Sequence, residues 1–311
     1  VKVIFEAVSS SATTDSTTSN DDGSFAIGLN DGIYLVHFSK SGYIPYTLPN
    51  SFTYAGGSYT ISDVTLVLGS IIEVSGRVKG NWSSNFQYRV VDDINVTADD
   101  TLVIEAGTNI LFMGEYIFEV SGSLIAVGTE EDSIYFTSGQ PQRQAGDWQG
   151  IKLLESSDYD HALSRVITLQ YCDVSFGGND MPMFYDYKSF NLENLVDSDS
   201  NIDQDIFPKV NIYNCHFYNS GSQLFWSGFS RVNIENSTFD GYRSGEAIDI
   251  HYAWYANFSN NKVLWSDGVS DYQGLFEFDI YSSSHGYQIS KKLEIKNNFF
   301  KTRYENGEIY N

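Results

Sequence analysis

The segments Val210-Asn-Ile-Tyr-Asn214-Cys-His-Phe217 and Val232-Asn-Ile-Glu-Asn236-Ser-Thr-Phe239 repeat one pattern: an apolar residue, a variable one, an apolar one, a polar turn centred on Asn, then another apolar residue. Ala256-Asn-Phe-Ser-Asn260-Asn-Lys-Val263 and Leu293-Glu-Ile-Lys-Asn297-Asn-Phe-Phe300 repeat it again, and Ile167-Thr-Leu-Gln-Tyr171-Cys-Asp-Val174 is a looser copy. The copies at Val210, Val232 and Ala256 start 22 and 24 residues apart, a period that marks a solenoid. Apolar and variable residues alternate at period two, which predicts strands, and the runs are too short for pairs of helices. Asn tolerates left-handed backbone angles, so its recurrence predicts a sharp turn at one place in every coil, with an amide ladder where the copies stack.

Composition bounds what such a chain does. Its 311 residues suffice for two domains, and 15% aromatic residues with few Pro and Met suit strands. The formal charge of −22 argues against a nucleic-acid partner, because a phosphate backbone is repelled over most of the surface. No apolar run approaches the roughly 20 residues of a membrane span, so no membrane insertion is expected. The chain opens on Val with no signal-peptide pattern, as in a mature secreted protein or an excised segment, and an extracellular or cell-surface location is expected.

The first 70 or so residues have a different texture. Strand-like runs at Val1–Phe5, Ser24–Ile27, Ile33–Phe38 and Val64–Leu68 are separated by small polar turns, as in a small sandwich. Thr17-Thr-Ser-Asn-Asp-Asp-Gly23-Ser-Phe25, Asp31-Gly-Ile-Tyr34 and Lys40-Ser-Gly-Tyr43 resemble the carboxypeptidase regulatory-like, transthyretin-type β-sandwich, which implies a non-catalytic spacer or adhesion unit. A texture change near Gly69 to Gly76 sets the expected domains at 1–72 and 73–311.

Beyond that boundary, Tyr88–Thr97, Thr101–Thr108, Val120–Thr129, Ile134–Ser138 and Asp147-Trp-Gln-Gly-Ile151 resemble the entry coils of right-handed parallel β-helix proteins of the pectin-lyase-like class. The expected fold is therefore all-β, a small N-terminal β-sandwich followed by a right-handed parallel β-helix. The resemblance implies fold more than function, since this fold carries lyases, hydrolases, adhesins and structural rods. The hydrolase motifs of the class are matched only by Asp92-Asp93 and, in part, by Ser284-His285-Gly286, and no R-x-K is present. Hydrolase activity of that type is not expected.

Cys172 and Cys215 each follow the turn position of their copy. One coil with a long insertion between them would stack the thiols about 4.8 Å apart, within disulfide range, whereas two coils would leave about 10 Å. Phe190-Asn-Leu-Glu-Asn194 resembles a further copy and favours two coils with free thiols. The sequence also stops directly after a coil, and an uncapped solenoid end favours further coils or a partner, so end-to-end or lateral self-association is expected.

Several residues carry candidate chemistry. Alignment of Ala247–His251 with Leu275–Asp279 puts Asp249 beside Glu277 and His251 beside Asp279, about 4.8 Å apart on an outward face. Carboxylates so paired suit a retaining glycosidase or a cation, but the expected reading is a solvated acidic face on a very acidic protein. Trp226 and Trp254 are candidates for stacking on sugar rings. Asp197, Asp199, Asn201, Asp203 and Asp205 place oxygens at every second position, the arrangement by which a short loop wraps calcium, although Ile202 and Pro208 break the full EF-hand pattern. Three functions follow: an extracellular structural or adhesive module that self-associates into a fibre, a polysaccharide lyase or hydrolase, and a non-catalytic protein binding cell-surface polysaccharide.

Overall fold

The computed structural model describes all residues except 9–12, 41–42, 44–45, 49, 68, 155–164, 187–208, 229–230, 252–254, 266–274, 280–291 and 302–311. The chain divides into two compact units, Val1–Ile71 with Asn85–Gln87, and Ile72–Ser84 with Tyr88–Asn311. No described residue is helical, and no helix long and apolar enough to cross a membrane is present among them.

In the first unit the strand Lys2–Ala7 pairs antiparallel with Asp15–Thr18 on one side and Gly32–Ser39 on the other. Gly32–Ser39 also pairs with Tyr46–Thr47 and Phe52–Tyr54. Alternation puts Val3, Phe5, Tyr34, Val36 and Phe38 on one face, where Phe25, Ile27, Leu29, Ile61, Val64 and Leu66 pack against them. The runs expected as strands at 24–27 and 64–67 do not pair as strands. Their alternating apolar residues still cover the sheet, so the hydrophobic pattern is satisfied without the ladder.

The second unit is a parallel β-helix. Three strands make a coil: Ile117–Val120, Ser123–Val127 and Ile134–Ser138, followed by Gly150–Leu153, Val166–Gln170 and Cys172–Ser175. The next coils are Phe184–Asp186, Lys209–Tyr213 and His216–Tyr218, then Phe225–Gly228, Arg231–Glu235 and Thr238–Asp240. Ile248–His251, Tyr255–Ser259 and Lys262–Leu264 precede the last described coil, Phe276–Asp279, Lys292–Lys296 and Phe299–Lys301. Second strands stack into an eight-stranded sheet, while first and third strands form the two arms of a fifteen-stranded one. The five repeat copies lie in register, with Ile167, Val210, Val232, Ala256 and Leu293 partners in turn.

The turn after each second strand has the conformation its residue type allows. Tyr171, Asn214, Asn236, Asn260 and Asn297 have φ of 48°, 53°, 54°, 57° and 54°, a left-handed geometry that costs Asn little. The side-chain ladder falls one residue later than the sequence predicts. The amides of Cys215, Ser237 and Asn261 donate to the side chains of Ser237, Asn261 and Asn298 in the following coil, at 3.1, 2.9 and 2.8 Å. Turn amides that the ladder leaves over are thereby satisfied inside the solenoid. Aromatic columns fill the centre: Phe184 stacks on Phe225 with centroids 5.0 Å apart, and Phe217 on Phe239 at 5.2 Å. Each buried ring contributes about 1.5–3 kcal/mol relative to exposure.

The two-coil reading of the cysteine interval is corrected. Val166–Gln170 pairs directly with Lys209–Tyr213, and Asp173 pairs with His216, so Cys172 and Cys215 are register neighbours in successive coils. The intervening chain is one coil with a long insertion, and the segment 190–194 lies outside the described residues. Both thiols are free and buried, and burial, then the neighbouring Cys215, pushes the Cys172 thiol well above its ordinary range.

Candidate functional site

The first strands of successive coils turn alternate residues outward. Phe118, Ile151, Phe184, Phe225 and Ile248 are buried in the core, so their successors point away from it. Register then defines one outward row: Asn95, Glu119, Lys152, Tyr185, Trp226, Asp249 and Glu277, about 4.8 Å apart at each step. Lys152 Nζ lies 3.8 Å from Glu119 Oε1, which neutralises that end. In the middle, the Tyr185 and Trp226 rings lie 5.2 Å apart at 39°, and Trp226 stacks against His251 at 5.4 Å. Gly228 makes room for the indole, since a Cβ there would come within 2.7 Å of it.

The far end of the row is acidic. One carboxylate oxygen each from Glu246, Asp249 and Glu277 lies within 4.8 Å of the others. Glu246 accepts a hydrogen bond from Gln223 Nε2 at 3.1 Å. Asp249 points outward yet is only 6% exposed, and its Oδ1 lies against Nε2 of His251 without receiving a hydrogen bond. Desolvation raises the Asp249 pKa to about 6; His251 opposes this, while Glu277 and Glu246 add to it. The solvated acidic face of the sequence reading is therefore corrected at Asp249: this carboxyl is buried among like charges. The fit for a cation is partial, because His251 already occupies one side of Asp249.

A trough of about 890 Å³ runs along the turns that lead into these first strands. Its floor includes Gly146, Gly178 and Gly221, and its rim carries Gln140, Gln144 and Asn179 beside acidic residues and Arg243. The floor requires glycine at Gly178, where φ is +84° and a Cβ would fall 2.0 Å from Ser220 Oγ. Exposed peptide groups and amides give a lining suited to hydroxyl-rich ligands. The turn 241–247 supplies both Arg243 of the trough lining and Glu246 of the carboxylate group.

The register thus brings together Asp249, Glu277, His251 and Asp279, the last two as backbone partners. Trp226 stands in the same row, but Trp254 and the loop residues Asp197, Asp199, Asn201, Asp203 and Asp205 lie outside the described residues. Asp92-Asp93 is structural, for Asp93 Oδ1 accepts the amide of Ile117 at 3.0 Å. Sequence reasoning missed Tyr185 and Glu246. Tyr185 sits in a three-residue strand just before the insertion that breaks the period, and Glu246 sits in a turn. It also missed His216 on the third-strand face, held between Asp173 at 3.6 Å and Asp240 at 3.2 Å.

These features define the class: a parallel β-helix with an aromatic and acidic row on one outward face. Consistent with this, a family model described as a pectate-lyase like beta helix domain matches residues 76–182. No curated protein and no solved structure matches the chain.

Proposed function

We propose that this protein binds a polysaccharide along the first-strand face, with sugar rings against Tyr185 and Trp226 and hydroxyls in the adjoining trough. The single observation that carries this reading is the register continuity of the two aromatic rings with the carboxylates of Asp249 and Glu277. Apolar sugar faces pack on aromatic surface, and convergent polar groups then fix orientation. The pectate-lyase-like match is in keeping with a saccharide ligand at the level of the family. Titration calorimetry against a panel of oligosaccharides tests the reading. Trp226→Ala should abolish binding while leaving the thermal melt intact, and undiminished binding in that variant refutes it.

A hydrolytic reading has one observation of its own. Asp249, with a pKa of about 6, holds a proton more tightly than an ordinary carboxyl, and Glu277 and Glu246 stand within 4.8 Å, the disposition of an acid and a nucleophile in a retaining glycosidase. In that case Asp249→Asn should remove turnover and keep binding.

A further inference from the structure

The charges along this face constrain its ligand further, given the saccharide reading on which the argument rests. A polyuronate carries a carboxylate on each sugar and needs cationic side chains to receive it. Along the described row Lys152 is already engaged by Glu119, and His251 by Asp249. In the trough, Glu115, Asp147 and Asp180 outnumber Arg243, the one basic residue among its described lining. Beside the aromatic pair stand Glu246, Asp249 and Glu277, whose carboxylates converge within 4.8 Å. The whole chain adds a field of the same sign, with a formal charge of −22, which repels anions and concentrates cations at the surface.

We propose that the ligand of this face is a glycan bearing free ammonium groups, a deacetylated amino-sugar polymer, rather than a polyuronate. An ammonium presents three N–H donors, and three converging carboxylates are a matched set of acceptors. The adjoining Trp226 and Tyr185 side chains, packed on one another and on His251, add apolar contact with the sugar ring. Asp249 is 6% exposed, with its Oδ1 against His251 Nε2, so this carboxyl is kept in the cluster at the expense of desolvation, and an ammonium would meet it on the side that His251 leaves open. Desolvation first, with Glu277 and Glu246 adding to it, raises the Asp249 pKa to about 6, and a bound cation would offset the contribution of the two glutamates.

Titration calorimetry on the full chain, in chelator and at low salt, separates the alternatives with three probes: a glucosamine oligomer, the N-acetylglucosamine oligomer of the same length, and a galacturonate oligomer, the last repeated in calcium. The glucosamine oligomer should bind at least about tenfold more tightly than its acetylated counterpart, and the advantage should shrink as salt is added. Glu277→Gln should reduce that preference while leaving the weaker affinity for the acetylated oligomer in place. Equal or tighter binding of the acetylated oligomer, or tighter binding of galacturonate with or without calcium, overturns the ammonium assignment and leaves the saccharide reading standing. Silence from all three overturns both.

Discussion

Asn236 has a φ of 54° and its neighbours in the stack repeat that angle, so the residue is chosen for backbone geometry. Asn236→Gly should be nearly neutral, whereas Asn236→Val should cost about 1–2 kcal/mol in urea unfolding, the penalty of a left-handed β-branched residue. Asp249 is the opposite kind of residue, one the fold would be more stable without. Its native pKa of about 6 exceeds the ordinary value of 3.8, so the native state binds the proton more tightly than the unfolded chain does. Stability from this group therefore falls as pH rises between those values, and the full cost is present above about 6. Asp249→Asn should raise stability at neutral pH by on the order of 2 kcal/mol, with no gain near pH 4. A carboxyl retained against stability is in keeping with the binding role proposed for this face. The pairing of Asp249 with Glu277 was legible from strand alternation alone; its burial was not, because Trp226 comes from the preceding coil and Glu246 from a turn.

At the scale of strands and turns, two ion pairs behave differently. Arg165 and Asp186 are both buried, 3% and 0% exposed, with Arg165 Nη2 3.9 Å from Asp186 Oδ1. Arg165 Nη1 also donates to the carbonyl of Leu154 at 2.5 Å, and Ser227 Oγ to Asp186 Oδ2 at 3.3 Å. The pair ties the strand ends that flank residues 155–164 and 187–208. Asp186→Ala leaves a buried guanidinium without its counter-charge and should cost about 3–5 kcal/mol in equilibrium unfolding. His216 is half-exposed. Its burial disfavours the charged ring, but hydrogen bonds to Asp173 and Asp240 outweigh this and raise its pKa to about 9. Because the native value is raised, the stabilisation is fully present below the ordinary value of 6.5 and is lost as pH rises through about 9. The melting difference between the protein and His216→Gln should therefore be largest below pH 6.5 and vanish above about 9. Neither pair announced itself in the sequence. Asp186 occupies a core position that alternation assigns to an apolar residue, and Asp173, His216 and Asp240 come from three coils whose register the long insertion disguised.

For the whole molecule, the repeat written in Val210–Phe217 and its copies fixes a stack of parallel strands, and that much followed from period and turn residues. The same insertion misled the coil count between Cys172 and Cys215, since Phe190–Asn194 mimics a copy within a segment that adds no strand between partners Val166–Gln170 and Lys209–Tyr213. A solenoid gives each coil the same outward positions, so a row such as Lys152, Tyr185, Trp226, Asp249 and Glu277 is a property of stacking, invisible in any one coil. The binding proposed for this face therefore draws on coils from widely separated parts of the chain acting as one surface. The most direct measurement is a crystal structure of the protein soaked with an amino-sugar oligosaccharide. Sugar rings lying along the first-strand face, against Tyr185 and Trp226 with a nitrogen among Glu246, Asp249 and Glu277, are the predicted result; an oligosaccharide bound on another face, or none bound at saturating concentration, contradicts the account.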